Sequence, residues 1–244
     1  MAANATLDYT TLTFPPAPDW RPYVYLNMVT SIDGRAVVDG SESGLGSDED
    51  RRLMRELRLH ADAILVGAGT LRATGASPRL GSGRLEAIRV SAGKPRFPVS
   101  AVLSRSGDLP LERAFFTATD FRAIVFLGDR CPPERRAAIE ATGRAVVLVP
   151  EDTAARAVLV NFRKDHGMER LLLEGGPRLN ALFLQEDAVD EVFLTIGPVV
   201  VGGEAEAIVA GGSALPRAVR RMELVSCFAH AATGEVFLRY RRVR

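Results

Sequence analysis

The chain has 244 residues, a quarter of them charged, and a formal net charge of +1. That length can bury a sizeable core without covalent staples, and the near-zero charge excludes bulk attraction to nucleic acid or an anionic membrane. Cys131 and Cys227 stand far apart, and His60, His166 and His230 form no Cys-x-x-Cys or His-x-Glu pattern, so neither a metal site nor a disulfide framework is expected.

The amino terminus, MAANATLDYTTLTFPPAPDW, lacks a basic segment followed by an apolar run and does not read as a secretory signal. No apolar stretch reaches membrane-spanning length, so a soluble, cytoplasmic protein is expected. Residues 1–21 read as a loose arm, because Pro15, Pro16 and Pro18 deny it regular ladders. One domain is then expected over 22–244.

YVYLNMV (23–29) is β-branched and aromatic, a strand. SIDGR turns the chain, and VVDGSESGLGS (37–47) reads as a flexible loop. Ser47, followed by Asp48, Glu49 and Asp50, marks a helix start, with Leu53, Met54 and Leu57 facing the core and an end near His60. AILVG (63–67) is a buried strand. A polar, mobile loop is expected over 75–96, then strands at 97–104 and 123–128. Pro132 and Pro133 open a helix. AVVLVP (145–150), a helical TAARAVLVNFRKDHG and the strand RLLL follow, then a helix from Pro177 to about Leu184. From DEVFLTIGPVVVGG onward the pattern turns more antiparallel, and MELVSCFAHA with EVFLRYRRV forms a closing hairpin. Alternating strands and helices predict a mostly parallel sheet covered on both faces, an α/β fold.

Ligands of such sheets bind outside the carboxyl ends of the strands, which gathers SIDG, GAGT, SRS and EGG on one rim. In VGAGTLRATG, Gly67 and Gly69 follow a strand and Thr70 begins a helical turn. A dinucleotide fingerprint would need a third glycine where Arg72 stands, and an acid near residues 88–90, where Ile88, Arg89 and Val90 lie. The alternative is a tight strand-to-helix turn. Ser104, Arg105 and Ser106 place two hydroxyls around a guanidinium, a set suited to a phosphate monoester, or else a solvated turn. In EGGPRL, Gly175 and Gly176 offer amides to a pyrophosphate. Glu174 is the odd residue, because a strand-to-helix corner needs no carboxylate.

Taken in order, NMVTSIDGR, RLHADAILVGAGT, VLSRSG, LLLEGGPRLN and VDEVFLTIGPVVVGG resemble the RibD C-terminal domain family, the pyrimidine reductases of riboflavin biosynthesis. The resemblance covers roughly residues 22–240. It implies a three-layer dihydrofolate reductase-like fold, NADPH as cofactor, a small-molecule substrate and a homodimer. The implied reaction reduces 5-amino-6-(5-phosphoribosylamino)uracil to its ribitylamino product. By position, the resemblance puts Val29 and Thr30 at the nicotinamide and Gly67, Gly69, Thr70 and Thr74 along the cofactor. Ser104 and Arg105 fall at the 2′-phosphate, and Gly175, Gly176, Pro177, Arg178, Leu179 and Leu182 at the pyrophosphate. Asn27, Ser43, Arg58, Leu80 and Glu174 fall on the substrate side, with Asp33 and Glu174 as candidate catalytic proton donors.

One stretch departs from the family. Members that carry out the riboflavin step usually have Asp-Asp-Pro after the GT turn, where this chain has Thr74, Gly75, Ala76 and Ser77 before Pro78. A dihydrofolate or pterin-like substrate is therefore a rival reading, and a non-catalytic NADPH-binding module another. Glu174 also carries two expectations: a substrate ligand stands without a protein partner in the free protein, whereas a structural anchor carries a buried ion pair.

Overall fold

The computed structural model describes residues 6–36, 44–202 and 220–243. Among the described residues nine strands form one sheet in the order β5-β4-β3-β2-β6-β1-β7-β9-β8. They are β1 (Tyr23–Thr30), β2 (Ala63–Gly67), β3 (Val99–Ser104), β4 (Ala123–Gly128), β5 (Ala145–Val149), β6 (Arg170–Leu173), β7 (Glu191–Ile196), β8 (Met222–His230) and β9 (Glu235–Arg242). The pairs from β5 across to β7 are parallel; β7–β9 and β9–β8 are antiparallel. The expected closing hairpin is β8–β9. The stretch after residue 190 is a correction in part, because β7 pairs in parallel with β1 before the direction reverses.

Helices cover both faces. On one lie α1 (Asp48–Arg58), α2 (Ala68–Thr74), α3 (Gly83–Ser91), α4 (Ala114–Thr117) and α5 (Pro133–Glu140); on the other lie α6 (Ala154–Val160) and α7 (Pro177–Gln185). Strand alternation sorts the core accordingly. Val24, Leu26, Leu171 and Leu173 pack with Val158, Leu159, Leu179 and Phe183 on the α6–α7 side. Tyr25 and Leu172 pack with Leu53 and Leu57 of α1 on the other. This is the dihydrofolate reductase-like α/β fold.

Three expectations change. Residues 6–21 are irregular but not loose: Tyr9 is buried, Leu7, Leu12 and Phe14 pack against the α1-side core, and Arg21 forms a buried ion pair with Asp190. Prolines remove ladders, yet the aromatic rings still need cover, and Phe14 lies 4.8 Å from Tyr25, centroid to centroid. The supposed 75–96 loop contains α3. Leu85 and Arg89 anchor that helix, the Arg89 guanidinium donating to the carbonyls of Leu59, Ala61 and Pro95. On α1, Glu56 rather than Met54 joins Leu53 and Leu57 in the interior, because it accepts the Tyr9 amide at 2.8 Å. Among the described residues no helix is long and apolar enough to cross a membrane.

Candidate active site

Neighbouring strands β1 and β6 send the chain opposite ways: β1 leads through α1 to β2, and β6 through α7, on the other face, to β7. Such a reversal opens a crevice at the carboxyl ends of the strands. Leu26 pairs with Leu173, so Asn27 and Glu174 come next on adjacent strands. Both follow Tyr25 and Leu172 by two residues and therefore face α1. The Asn27 carboxamide is half-buried and makes no hydrogen bond among the described residues.

Ser47 caps α1, accepting the Glu49 amide at 3.0 Å and the Asp50 amide at 3.4 Å. This anchors the first turn of the helix, and Arg58 stands in its last turn. There Arg58 donates from Nε to Glu174 Oε1 at 2.6 Å and from Nη2 to Oε2 at 2.7 Å, with the two side chains 13% and 10% exposed. Arg58 Nη1 also donates to the carbonyls of Ser77 and Arg79, at 3.0 and 2.9 Å. Glu174 thus has a protein partner, contrary to the simplest ligand expectation, and that partner is itself an expected substrate residue. The loop that departs from the family is held from within the site. Leu80 is a correction: it is fully buried in the core under this loop and presents no surface to a ligand.

Along the rim, Gly67 N donates to Gly175 O at 2.9 Å and Gly176 N to Thr70 Oγ1 at 3.0 Å. These two amides join loops rather than await a phosphate. The donors that suit a phosphate lie one step on, in the first turn of α7. Gly176 supplies no side-chain cap and Pro177 has no N–H, so the next amides, of Arg178 and Leu179, have no carbonyl acceptor within their own helix. Leu179 contributes backbone only, its side chain being buried against the sheet, while Leu182 is exposed. Gly69 opens outward, with nothing within 4 Å of the place a methyl would take there. Thr74 lies at the far end of α2, where its hydroxyl donates to Thr70 O at 3.0 Å.

Glycine is required by conformation at Gly175, where φ is +79° and an added Cβ would meet Met28 Sδ at 2.8 Å. Gly176 differs. Its φ is −47°, and a Cβ would lie 3.3 Å from Thr70 Oγ1.

At the end of β3, Ser104 is buried and its Oγ accepts the Gly107 amide at 3.1 Å. That corrects its assignment to the phosphate. Arg105 and Ser106 are exposed, and the Arg105 guanidinium makes no ion pair among the described residues. Thr30 is buried, its hydroxyl donating to the carbonyls of Ser31 and Arg35; Val29 is half-buried on the α1 side of β1. Asp33 accepts from Ser31 Oγ at 2.6 Å, Val201 N at 3.1 Å and Gly202 N at 2.8 Å. These donors hold its carboxyl well below the usual carboxylate range. It fastens two loops and is held as the carboxylate, with no proton to give near neutral pH. Ser43 lies outside the described residues.

The family model of the RibD C-terminal domain matches residues 22–233. The chain belongs to the RibD C-terminal domain family. A 2,5-diamino-6-ribosylamino-4(3H)-pyrimidinone 5′-phosphate reductase of Methanothermobacter thermautotrophicus is 34% identical over 196 residues, covering 78% of this chain and 85% of the relative. A pyrimidine reductase-like protein of Corynebacterium diphtheriae superposes with a TM-score of 0.83 at 24% identity, over 91% of this chain and 92% of the other. An Enterococcus faecalis dihydrofolate reductase complexed with NADP(H) shares the fold more distantly, with a TM-score of 0.52 at 12% identity, over 92% and 99%.

Sequence reasoning missed one group in this RibD-type crevice. Asp50, half-buried on the first turn of α1, faces the Thr195 hydroxyl of β7, and a methyl at Gly46 would collide with its carboxylate. Burial and nearby Glu235 push it up to about 6. Counting back from Arg58 in steps of four reaches Asp50 through Met54, the signal that could have found it.

Proposed function

We propose that this chain is an NADPH-dependent reductase of riboflavin biosynthesis acting on a pyrimidine ribotide. The observation that carries the reading is the convergence of Asn27, Arg58 and Glu174 on the crevice beside the start of α7. The residues present fit a phosphorylated dinucleotide. Backbone amides at a helix start without a side-chain cap suit its pyrophosphate, and Arg105 with Ser106 suits a 2′-phosphate through charge-assisted bonds. When bound, NADPH supplies a hydride for the imine carbon, C1′, of the ring-opened ribosyl chain.

The chain's own part is to bind and orient. The Arg58–Glu174 pair and the Asn27 amide form a fixed polar wall against which the substrate lies, and orientation alone supplies a large share of such a rate effect. No nucleophile is needed. Both Glu174 oxygens accept from Arg58 and Asp33 is held as the carboxylate, so neither holds a proton to give and water protonates the ring-side nitrogen.

A homodimer is part of the same reading. Strand β8 ends the sheet, with Leu224 51% and Val225 39% exposed among the described residues, and a second copy of the chain is one cover for such an edge. Light scattering at working concentration checks this, and a monomer mass contradicts it.

The function is tested by following NADPH oxidation with a pyrimidine ribotide, with dihydrofolate and without substrate. Oxidation only with the ribotide is expected; activity on dihydrofolate alone favours the rival reading.

A further inference from the structure

Glu235 opens β9 and is only 1% exposed. Among the described residues its carboxylate is held by neutral donors and not by a cation. Ser47 N donates to Oε1 at 2.7 Å, and Ser47 Oγ and Thr233 Oγ1 donate to Oε2 at 2.6 and 2.8 Å. Burying such a charge costs stability, and neither a hairpin nor a helix cap requires it.

Ser47 shows where the carboxylate acts. Its hydroxyl gives its proton to Glu235 and accepts the Glu49 and Asp50 amides, so one oxygen joins β9 to the start of α1. The carboxylate also meets the positive end of the helix. The fit is close on a second side, because a methyl at Gly197, just past β7, would lie 2.0 Å from Leu45 O. The chain therefore enters α1 pressed on the end of β7 and bonded to the start of β9.

The other end of α1 is tied to a different strand, where Arg58 grips Glu174 just past β6. The sheet order between these anchors is β6-β1-β7-β9, three spacings or about 14 Å. The 11 residues of α1 span about 16 Å. The helix is a beam held at both ends, with Asn27 of β1 half-buried on the side it faces. A shift at its start is carried to the guanidinium at its finish.

We infer that Glu235 is a positioning residue for the reduction, holding α1 through Ser47 so that Arg58, Glu174 and Asn27 present one fixed wall to the substrate. The inference rests on the reductase reading and deepens it. Glu235 is too buried to touch a ligand and acts only through the helix. Such support matters because a displacement of about 1 Å in an orienting group can cost on the order of 10²-fold in rate. Arg105 and the first turn of α7, which suit the cofactor's phosphates, follow β3 and β6, away from β9 in the sheet order. Loosening the beam should therefore separate the substrate from the cofactor.

Steady-state kinetics with NADPH and a pyrimidine ribotide, beside fluorescence titration with NADPH alone, test this on Glu235→Gln, Ser47→Gly and the double variant. Gln keeps the shape and removes the charge; Gly caps a helix nearly as well as Ser but brings no hydroxyl to Glu235. Each single variant should lose about tenfold or more in kcat/KM for the ribotide, most of it in kcat. NADPH should bind within about twofold of wild type. The double variant should lose no more than either single one, because both break the same link. Thr233→Val, which removes one donor and keeps the charge, should lose less in the same direction, and it carries the test if the other variants do not fold. Full ribotide turnover in the variants, equal losses for ribotide and NADPH, or losses that multiply in the double variant overturn the positioning role and leave the reductase reading standing. Wild-type protein that reduces no ribotide overturns both.

Discussion

Arg58 grips Glu174 through two charge-assisted hydrogen bonds, at 2.6 and 2.7 Å, while its other nitrogen holds the carbonyls of Ser77 and Arg79. One guanidinium thus joins the last turn of α1, the end of β6 and the loop before α3 into a single corner of the cleft. The arrangement makes Glu174 structural and functional at once. Removing one partner of a buried pair strands the other charge, which costs about 3–5 kcal/mol when burial is complete. Glu174→Ala is therefore expected to lose about 3 kcal/mol, a fall of roughly 6–12 °C in melting temperature, together with turnover on the order of 10²-fold or more. Glu174→Gln, which keeps one acceptor for Arg58, should cost about half as much stability and a similar share of turnover. Calorimetry and steady-state kinetics on both variants check the pairing; an unchanged melting temperature for Glu174→Ala contradicts it.

Arg105 tests the cofactor assignment. It is exposed at the end of β3, so Arg105→Ala should leave stability within about 0.5 kcal/mol. A lost charge-assisted bond to a 2′-phosphate should weaken NADPH tenfold or more, on the order of 1.5–3 kcal/mol, and leave NADH nearly unchanged. Fluorescence titration with the two cofactors separates this from a general loss of binding.

Adjacent glycines should fail in different ways. Gly175→Ala imposes a left-handed conformation on a residue with a Cβ, roughly 1–2 kcal/mol, and drives that Cβ into Met28 Sδ; it should destabilise the apo protein. Gly176→Ala has an ordinary φ and only Thr70 Oγ1 in the way, so it should fold normally and lose NADPH affinity. Melting curves and cofactor titrations on the two variants read out the difference.

Asp50 gives a pH signature. Its carboxyl is pushed up to about 6, above the ordinary value of about 3.9 in an unfolded chain. The folded state therefore favours the protonated form: the cost of the charge is absent below about pH 4, grows between about 4 and 6, and is complete above. Glu235 raises that cost and Arg51 and Thr195 reduce it. Asp50→Asn should thus stabilise the protein above about pH 7, by at most about 3 kcal/mol, and lose that advantage near about pH 4. Urea titrations across that range measure it.

The parallel sheet, the rim of loops and the sequence EGG were legible because each leaves a local pattern: apolar runs, glycines after strands, a proline at a helix start. The α3 helix was hidden because its main anchor is Arg89, an arginine buried on backbone carbonyls, which reads as surface from sequence alone. The packing of residues 6–21 was hidden for a related reason, since prolines that forbid ladders say nothing about where Tyr9 and Phe14 bury. In the site, Asn27, Arg58 and Glu174 lie side by side, whereas the pairing of Arg58 with Glu174 was not foreseeable, because residues 58 and 174 meet only through the sheet order. Leu80 and Ser104 were assigned by position, and burial removes both from the ligand's reach. Asp50 looked like a helix-start acid, and only its approach to β7 marks it otherwise.

Hydride transfer to a pyrimidine ribotide is read most directly by following an isotope. The protein is incubated with NADPH carrying deuterium at nicotinamide C4, on either face in separate reactions, and with 2,5-diamino-6-ribosylamino-4(3H)-pyrimidinone 5′-phosphate; the product is then analysed by mass spectrometry and NMR. A ribitylamino product with one deuterium at C1′ from one face of the cofactor, and none from the other, is expected. Unreduced ribotide, or a reduced product that carries no deuterium from either face, would contradict it.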